Sequence, residues 1–290
     1  MIIDAHLHLW KKQQGIVNGK PVYDLGGGKS NFGGEVRQML PPYMTDGENS
    51  IERLISNMDY ARVQGAVVTQ EYIDGNQDSY LLECKHKYPN RLKICSLYEE
   101  KEDYRLDGFD GVKVCAGRLT KVKLSQLSKL CHELEERKMF LSIDLADGDA
   151  QVKEMKQLIQ ECPNLSIAIG HFGMVTIPGW EAQIELACNE NVYIESGGIT
   201  WLFHKEFYPY PSAIDAILRA KEICGIKKLM WGSDYPRTMT AITYVMSRDF
   251  IEKSEKMTKE DKKLFLGENA KHFYGFGELS EIPYTINMVE

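Results

Sequence analysis

The sequence predicts an α/β fold, a single (β/α)8 barrel running through all 290 residues. Three observations predict it. Eight short apolar runs recur along the chain, as expected for strands covered on both faces. Amphipathic helical patterns separate most of them. The first run is not followed by a glycine-rich turn opening a helix, which an open doubly wound sheet would usually carry. Closed barrels reach this length as one domain, and no internal repeat or linker divides the chain.

The first strand is expected over 2–9, Ile-Ile-Asp-Ala-His-Leu-His-Leu. Three more are expected at 65–71, 92–97 and 110–115, and the last four at 139–145, 165–171, 191–197 and 227–234. A helix fits 50–63, where Ser50 can cap and Ile51, Leu54, Ile55 and Met58 form an apolar stripe. Leu124, Leu127, Leu130, Cys131 and Leu134 do the same in 122–138. Similar patterns cover 77–88, 149–161, 180–190 and 211–225, whereas the link after the third strand is short for a full helix. Residues 240–254 and 258–273 read as closing helices, the second capped by Thr258, with 255–290 forming the C-terminal helix and tail. Residues 10–50 are the one long irregular stretch, with Gly26-Gly27-Gly28, Gly33-Gly34 and Pro41-Pro42. Following strand one, this segment is expected to lie over the catalytic end as an active-site loop, a lid or a substrate-shaping element. Its glycines do not read as a phosphate cradle, because no Walker lysine spacing and no helix follow them.

Composition narrows the partners. A hydrophobic content of 43% is enough for a sizeable core. A net charge of -7 leaves no basic footprint for nucleic acid. No apolar run approaches ~20 residues, so no membrane span is expected. Strand-like sequence begins at once, without a signal-peptide pattern. Seven cysteines, an odd number in no motif spacing, read as reduced thiols in a cytoplasmic protein. The expected partner is a small-molecule substrate. A homo-oligomer stays open, since barrels often associate through their outer helices.

In barrel enzymes the working residues sit at the C-terminal ends of the strands. That rule selects His6 and His8 on strand one, Lys113 on four, Asp144 on five, His171 on six and Asp234 on eight. Strand geometry points His6 and His8 the same way. Ionisable groups facing a barrel interior are costly unless paired or bound to something. The plainer readings are a pair of satisfied core histidines and, for Asp234, a turn-forming aspartate before Tyr235-Pro236; the convergence of these groups at one end favours a site.

Those residues carry a resemblance. Asp4-Ala-His6-Leu-His8, Gly111-Val-Lys113-Val, Gly170-His171-Phe-Gly173, Trp231-Gly-Ser-Asp234-Tyr-Pro236 and Gly267-Glu-Asn269-Ala270 occur in the order found in the amidohydrolase superfamily. The chain resembles its amidohydrolase-2 branch, which groups sugar-acid and pyrone-dicarboxylate lactonases with aminocarboxymuconate-semialdehyde-type decarboxylases. The resemblance implies a TIM barrel with its site at the strand ends. It implies that His6, His8, Asp234 and His171 are catalytic. His6 and His8 would be ligands of a divalent metal such as zinc, or donors to the substrate carbonyl in members that work without metal. Asp234 would bind the metal and take a proton from the attacking water, and His171 would join the metal site or contact substrate or the metal-bound water. One departure stands out: the family's strand-five histidine is missing from Leu141-Ser142-Ile143-Asp144-Leu145, leaving Asp144 as an oxygen substitute or no metal at all.

The chemistry can be argued from the residues too. Water is a poor nucleophile, and a buried carboxylate such as Asp234 serves as base if burial raises its pKa. Metal would lower the water's pKa instead; without it, the histidines would steady an oxyanion. Lys113 has three candidate roles: neutralising a buried carboxylate, binding a substrate carboxylate, or carrying a metal-bridging carbamate. Arg118 and Arg237 are candidates for a substrate carboxylate. Trp201 leads an aromatic cluster, with Phe203, His204, Phe207, Tyr208 and Tyr210, that either walls the pocket or packs its own loop. Glu71 and Glu195 end strands two and seven and are placed to face the same end. Asp4 is expected on the face of His6, one layer deeper, as a supporting group. His86, His132 and His272 fall on helices and read as filler. The leading function is hydrolysis of a small carbonyl substrate, foremost a lactone of a sugar acid or dicarboxylate. The alternatives are a metal-dependent decarboxylase of an unsaturated or aromatic acid and a non-catalytic binding protein on the same scaffold.

Overall fold

The structure, a computed structural model, describes residues 1–101 and 104–288. Its centre is a ring of eight parallel strands in sequential order: β1 (Ile3–Leu7), β2 (Gly65–Val68), β3 (Leu92–Leu97), β4 (Gly111–Cys115), β5 (Phe140–Asp144), β6 (Ser166–Ile169), β7 (Val192–Glu195) and β8 (Leu229–Met230). The first and last strands meet through bonds from Ala5 N–H to the Trp231 carbonyl and from His8 N–H to the Tyr235 carbonyl, both 2.9 Å. The barrel is therefore closed, as the sequence predicts. Helices α1 (Ile51–Ala61), α2 (Asp78–Lys87), α3 (Ser128–Glu136), α4 (Val152–Glu161), α5 (Trp180–Glu185) and α7 (Pro211–Cys224) cover the outside, and the one-turn α6 (Ile199–Leu202) sits at the C-terminal mouth. Among the described residues no helix joins β3 to β4, in keeping with that short link. None is long and apolar enough to cross a membrane.

Local chemistry explains the best-read elements. In α1 the Ser50 hydroxyl accepts from Arg53 N–H, and Ile51, Leu54 and Met58 are buried against the sheet. Thr258 and Asp261 form a reciprocal capping box that starts α9 (Lys259–Lys263). A π-helical turn, Leu264–Glu268, then leads into α10 (Asn269–Tyr274). From there Ala270, Tyr274 and Phe276 plug the N-terminal end of the barrel against Ile3, Ala5, Cys95 and Met230. Residues 289–290, the end of the expected tail, lie outside the described residues. The helix expected over 240–254 is shorter, α8 (Met246–Glu252).

Two expectations need correction. Residues 10–50 are not irregular. They contain an antiparallel meander of Ile16–Val17, Lys20–Gly26, Lys29–Phe32 and Glu35–Gln38. Its last strand is wholly exposed, so no apolar alternation marks it. The legible signal was in the turns: Asn18-Gly19 and Gly33-Gly34 have positive φ at both positions, the requirement for tight two-residue hairpins. The meander docks on the loop after β2, where Ile16 N–H donates to the Tyr72 carbonyl at 2.9 Å. The second correction concerns Asp4. The β1–β2 register shifts between Asp4 and Leu7, which breaks strict alternation. Asp4 does not share the face of His6; it turns to Ser233 and Tyr244.

Packing gives a direct test. Leu54→Ala removes a fully buried side chain of α1 and is expected to cost about 2–5 kcal/mol in urea unfolding. Tyr60→Ala, on the exposed face of the same helix, should change stability by no more than about 0.5 kcal/mol.

Candidate active site

The strand ends bring His6, His8, Asp144, His171 and Asp234 together at the C-terminal mouth. Glycines make the room. A Cβ at Gly170 would meet Asp144 Oδ1 at 2.0 Å, and one at Gly232 would meet the His6 Cβ at 2.8 Å. Two functional side chains, His171 and Asp234, sit on left-handed backbone with φ of 52° and 58°. That conformation costs a non-glycine residue on the order of 1–3 kcal/mol and concentrates at working sites. Asp4 supports the turn carrying Asp234, accepting from Ser233 N–H at 2.9 Å and from the Tyr244 hydroxyl at 2.8 Å.

The centre is a set of converging donor atoms. His6 Nε2 lies 3.2 Å from His8 Nε2, which lies 2.9 Å from Asp234 Oδ1. His6 Nε2 and Asp234 Oδ1 are 3.8 Å apart. The other edges are fixed from behind: His6 Nδ1–H donates to Glu195 at 2.6 Å, and Trp201 Nε1–H donates to Asp234 Oδ2 at 2.7 Å. Among the described residues His8 Nδ1 is buried without a partner, and the ring is oriented through Nε2.

This donor set fits a divalent cation. With its Nδ1 proton given to Glu195, His6 presents a lone pair at Nε2, and Asp234 Oδ1 is also an acceptor. Only one N–H, on His8 Nε2, would serve both of them. A cation bound by all three satisfies the set, and the spacings suit ligands about 2.0–2.2 Å from zinc. The His6–Glu195 pair is the carboxylate–histidine support that commonly orients a metal ligand. Burial and the nearby Lys113 charge push the His6 pKa well down, favouring the neutral imidazole that ligation needs.

The charges around this centre are set by burial and pairing. Burial acts to raise the Asp234 pKa, yet the His8 hydrogen bond and the Arg237 charge prevail and hold it well below the ordinary carboxylate range. The condition under which Asp234 would serve as an unaided base, a pKa raised by burial, is thus not met. Glu195 does rise, to about 7, through burial that His171 and Lys113 only partly offset. Burial acts to lower His171, but Asp144, Asp234 and Glu195 reverse this and raise it. Asp144 is held low despite burial by Lys113 and His171. The cause is direct: Lys113 Nζ lies 2.6 Å from Asp144 Oδ1. Of the three roles open to Lys113, the geometry selects neutralisation of a buried carboxylate. The amine is wholly buried beneath Asp144 and is not among the residues that line the cavity. Beside His6, His8 and Asp234, the donor atoms of His6, Asp144 and His171 also lie within 4.8 Å of one another, a second candidate ligand group at the same centre.

Above the centre lies a cavity of about 600 Å³, the size of a small-molecule site. His8, His171, Trp201, Asp234, Arg118 and Arg237 all line it. His171 Nδ1 bonds the Gly197 carbonyl at 2.8 Å, leaving Nε2 for the cavity. Of the aromatic cluster only Trp201 reaches the wall; His204 is exposed and bonds back to the Trp201 carbonyl. Residues 10–50 do not line the cavity, contrary to the expected lid. They act through the loop after β2, where Gln13 Nε2–H donates to Asp74 Oδ1 at 3.1 Å and Arg237 pairs with Asp74 Oδ2 at 2.5 Å. Asp74 carried no sequence signal, because its partner is 163 residues away.

The family model for amidohydrolases matches residues 3–276. The chain belongs to the amidohydrolase family. No match was found among curated proteins. Solved structures share its fold. A probable 2-pyrone-4,6-dicarboxylic acid hydrolase from Acinetobacter baumannii, with citric acid bound, superposes with a TM-score of 0.64 at 21% identity, covering 95% of this chain and 99% of that one. A zinc-bound amidohydrolase from Burkholderia multivorans gives 0.69 at 14% identity, covering 96% and 100%. A manganese-bound 5-carboxyvanillate decarboxylase from Novosphingobium aromaticivorans gives 0.54 at 18%, covering 78% and 80%. At these identities the likeness is one of fold.

The Lys113 assignment is testable through stability. Lys113→Met strands the Asp144 charge and is expected to cost about 3–5 kcal/mol. Lys113→Met combined with Asp144→Leu should recover most of that loss in urea unfolding.

Proposed function

We propose that this amidohydrolase opens a small lactone, the cyclic ester of a sugar acid or dicarboxylate, by attack of an activated water. The observation that carries the reading is Asp234. Its Oδ2 is pinned by Trp201 while Oδ1 faces His6 and His8 at the floor of the cavity. A divalent metal held by His6, His8 and Asp234 would polarise the substrate carbonyl and bring a water's pKa down to roughly 7. That matters because a carboxylate held as low as Asp234 is a weak base toward ordinary water. Trp201 keeps the Asp234 carboxylate oriented toward the centre, and this carboxylate takes the proton from the attacking water. His171, raised toward its charged form, faces the cavity and donates to the oxygen on which charge develops. Glu195 holds the His6 ring in the tautomer that presents Nε2 inward.

A lactone is an activated ester, so its hydrolysis needs less help than that of an amide. Acid release from a lactone panel, followed with a pH indicator, is the test. Asp234→Asn should lower the rate by about 10²–10⁴-fold while the protein remains folded. Carbon dioxide release from an aromatic or unsaturated acid, with no acid formed from any lactone, would overturn the reading in favour of decarboxylation.

A further inference from the structure

We propose that the substrate site has a second half: a cleft beside the catalytic cavity, between the first hairpin of the meander and the loop after β4, takes an apolar tail carried on the lactone ring. The proposal rests on the hydrolytic reading above and extends the substrate beyond the ring that reacts.

The cleft has a volume of about 580 Å³, close to that of the catalytic cavity and by itself of small-molecule size. The two share a wall, since Gly117 and Arg118 line both. Ile16 and Val17 reach the cleft from the meander, Leu97 from the end of β3, Leu119 from the loop after β4 and Tyr72 from the loop after β2. The meander thus lines this cleft, although it gives no wall to the catalytic cavity.

The fold fixes both sides of the cleft. Gln14 N–H donates to the Asp74 carbonyl at 3.1 Å and Ile16 N–H to the Tyr72 carbonyl at 2.9 Å, which anchors the hairpin. Opposite, the Glu100 carboxylate accepts from the N–H groups of Thr120, Lys121 and Val122 at 2.8, 2.6 and 3.1 Å, which anchors the loop after β4. The Tyr72 hydroxyl donates to the Tyr98 carbonyl at 2.7 Å, so its polar end is already engaged. Walls set in advance reduce the ordering cost of binding. Glu99 is engaged too, with Lys101 at 3.3 Å and Asn76 at 3.1 Å. Ile16 is 59% exposed, so the fold leaves apolar surface unburied in this wall. At the junction of the two spaces stands Arg118, 43% exposed. Among the described residues its side chain pairs only with Glu71, Nε to Oε2 at 3.3 Å. Its Nη groups are therefore available to polar atoms where the tail joins the ring. Burying even two methylenes of such a tail is worth about 10-fold in affinity.

The test compares γ-valerolactone with γ-decalactone, which differ only in the length of the alkyl chain on the ring. Wild type is expected to favour γ-decalactone at least 10-fold in kcat/KM. Ile16→Asp and Leu119→Asp, checked for folding by circular dichroism, should cut that preference at least 5-fold. Val36→Asp, at an exposed apolar residue of the same meander outside the cleft, should keep the wild-type ratio. Should Leu119→Asp fail to fold, Ile16→Asp decides alone. Equal kcat/KM for the two lactones in wild type, or a preference that survives in Ile16→Asp, would overturn the proposal. A binding arm runs without turnover: 1-anilinonaphthalene-8-sulfonate fluorescence should be displaced by γ-decalactone in wild type and at least 5-fold less effectively in Ile16→Asp. If neither lactone is opened, the hydrolytic reading fails, while the displacement still decides whether the cleft takes the tail; no displacement, or the same displacement in Ile16→Asp, would refute it.

Discussion

Burying charge at the mouth of the barrel governs most of what surrounds it. Asp234 and Asp144 are carboxylates taken largely out of water, and desolvation acts to raise both. Neither is left to it. Asp144 has Lys113 below and His171 beside it, and Asp234 has His8, Trp201 and Arg237. Each partner then needs support of its own. Arg237 is answered by Asp74, and His6 by Glu195. The site is a set of nested pairs because no single ionised group could remain there alone.

The same constraint gives the meander a role. It contributes no wall to the cavity, yet Ser30, Gln13 and Asp74 form a hydrogen-bonded line that ends on Arg237. A segment inserted after β1 thus positions a residue that follows β8. The loop after β2 is the point of transfer. Gly15 lies so close to it that a Cβ there would meet the Tyr72 carbonyl oxygen at 2.1 Å. Chain far from the centre fixes the electrostatics of its wall.

The sequence shows some of this plainly and hides the rest for physical reasons. His6, His8, His171 and Asp234 are legible because polar residues at the ends of apolar runs are conspicuous, and the barrel dictates where those ends meet. Leu54 and Met58 are legible because helical periodicity survives in one strong stripe. The face of Asp4 is not, since a register shift in β1 leaves no mark on the pattern. Asp74 is not, since its meaning lies in a partner brought near only by closure of the barrel. The low pKa of Asp234 was hidden as well: burial alone points upward, and the sign depends on distances to His8 and Arg237. The meander was half-hidden, its strands exposed and its turns written in Asn18-Gly19 and Gly33-Gly34.

The central claim is that His6, His8 and Asp234 together hold a divalent metal that completes the water-activating site. Elemental analysis of protein purified without chelator, paired with His8→Ala, tests it most directly. The account predicts about one zinc or manganese per chain in wild type, lost in the variant together with lactone opening. Full lactone opening by exhaustively chelated, metal-free wild type would contradict it.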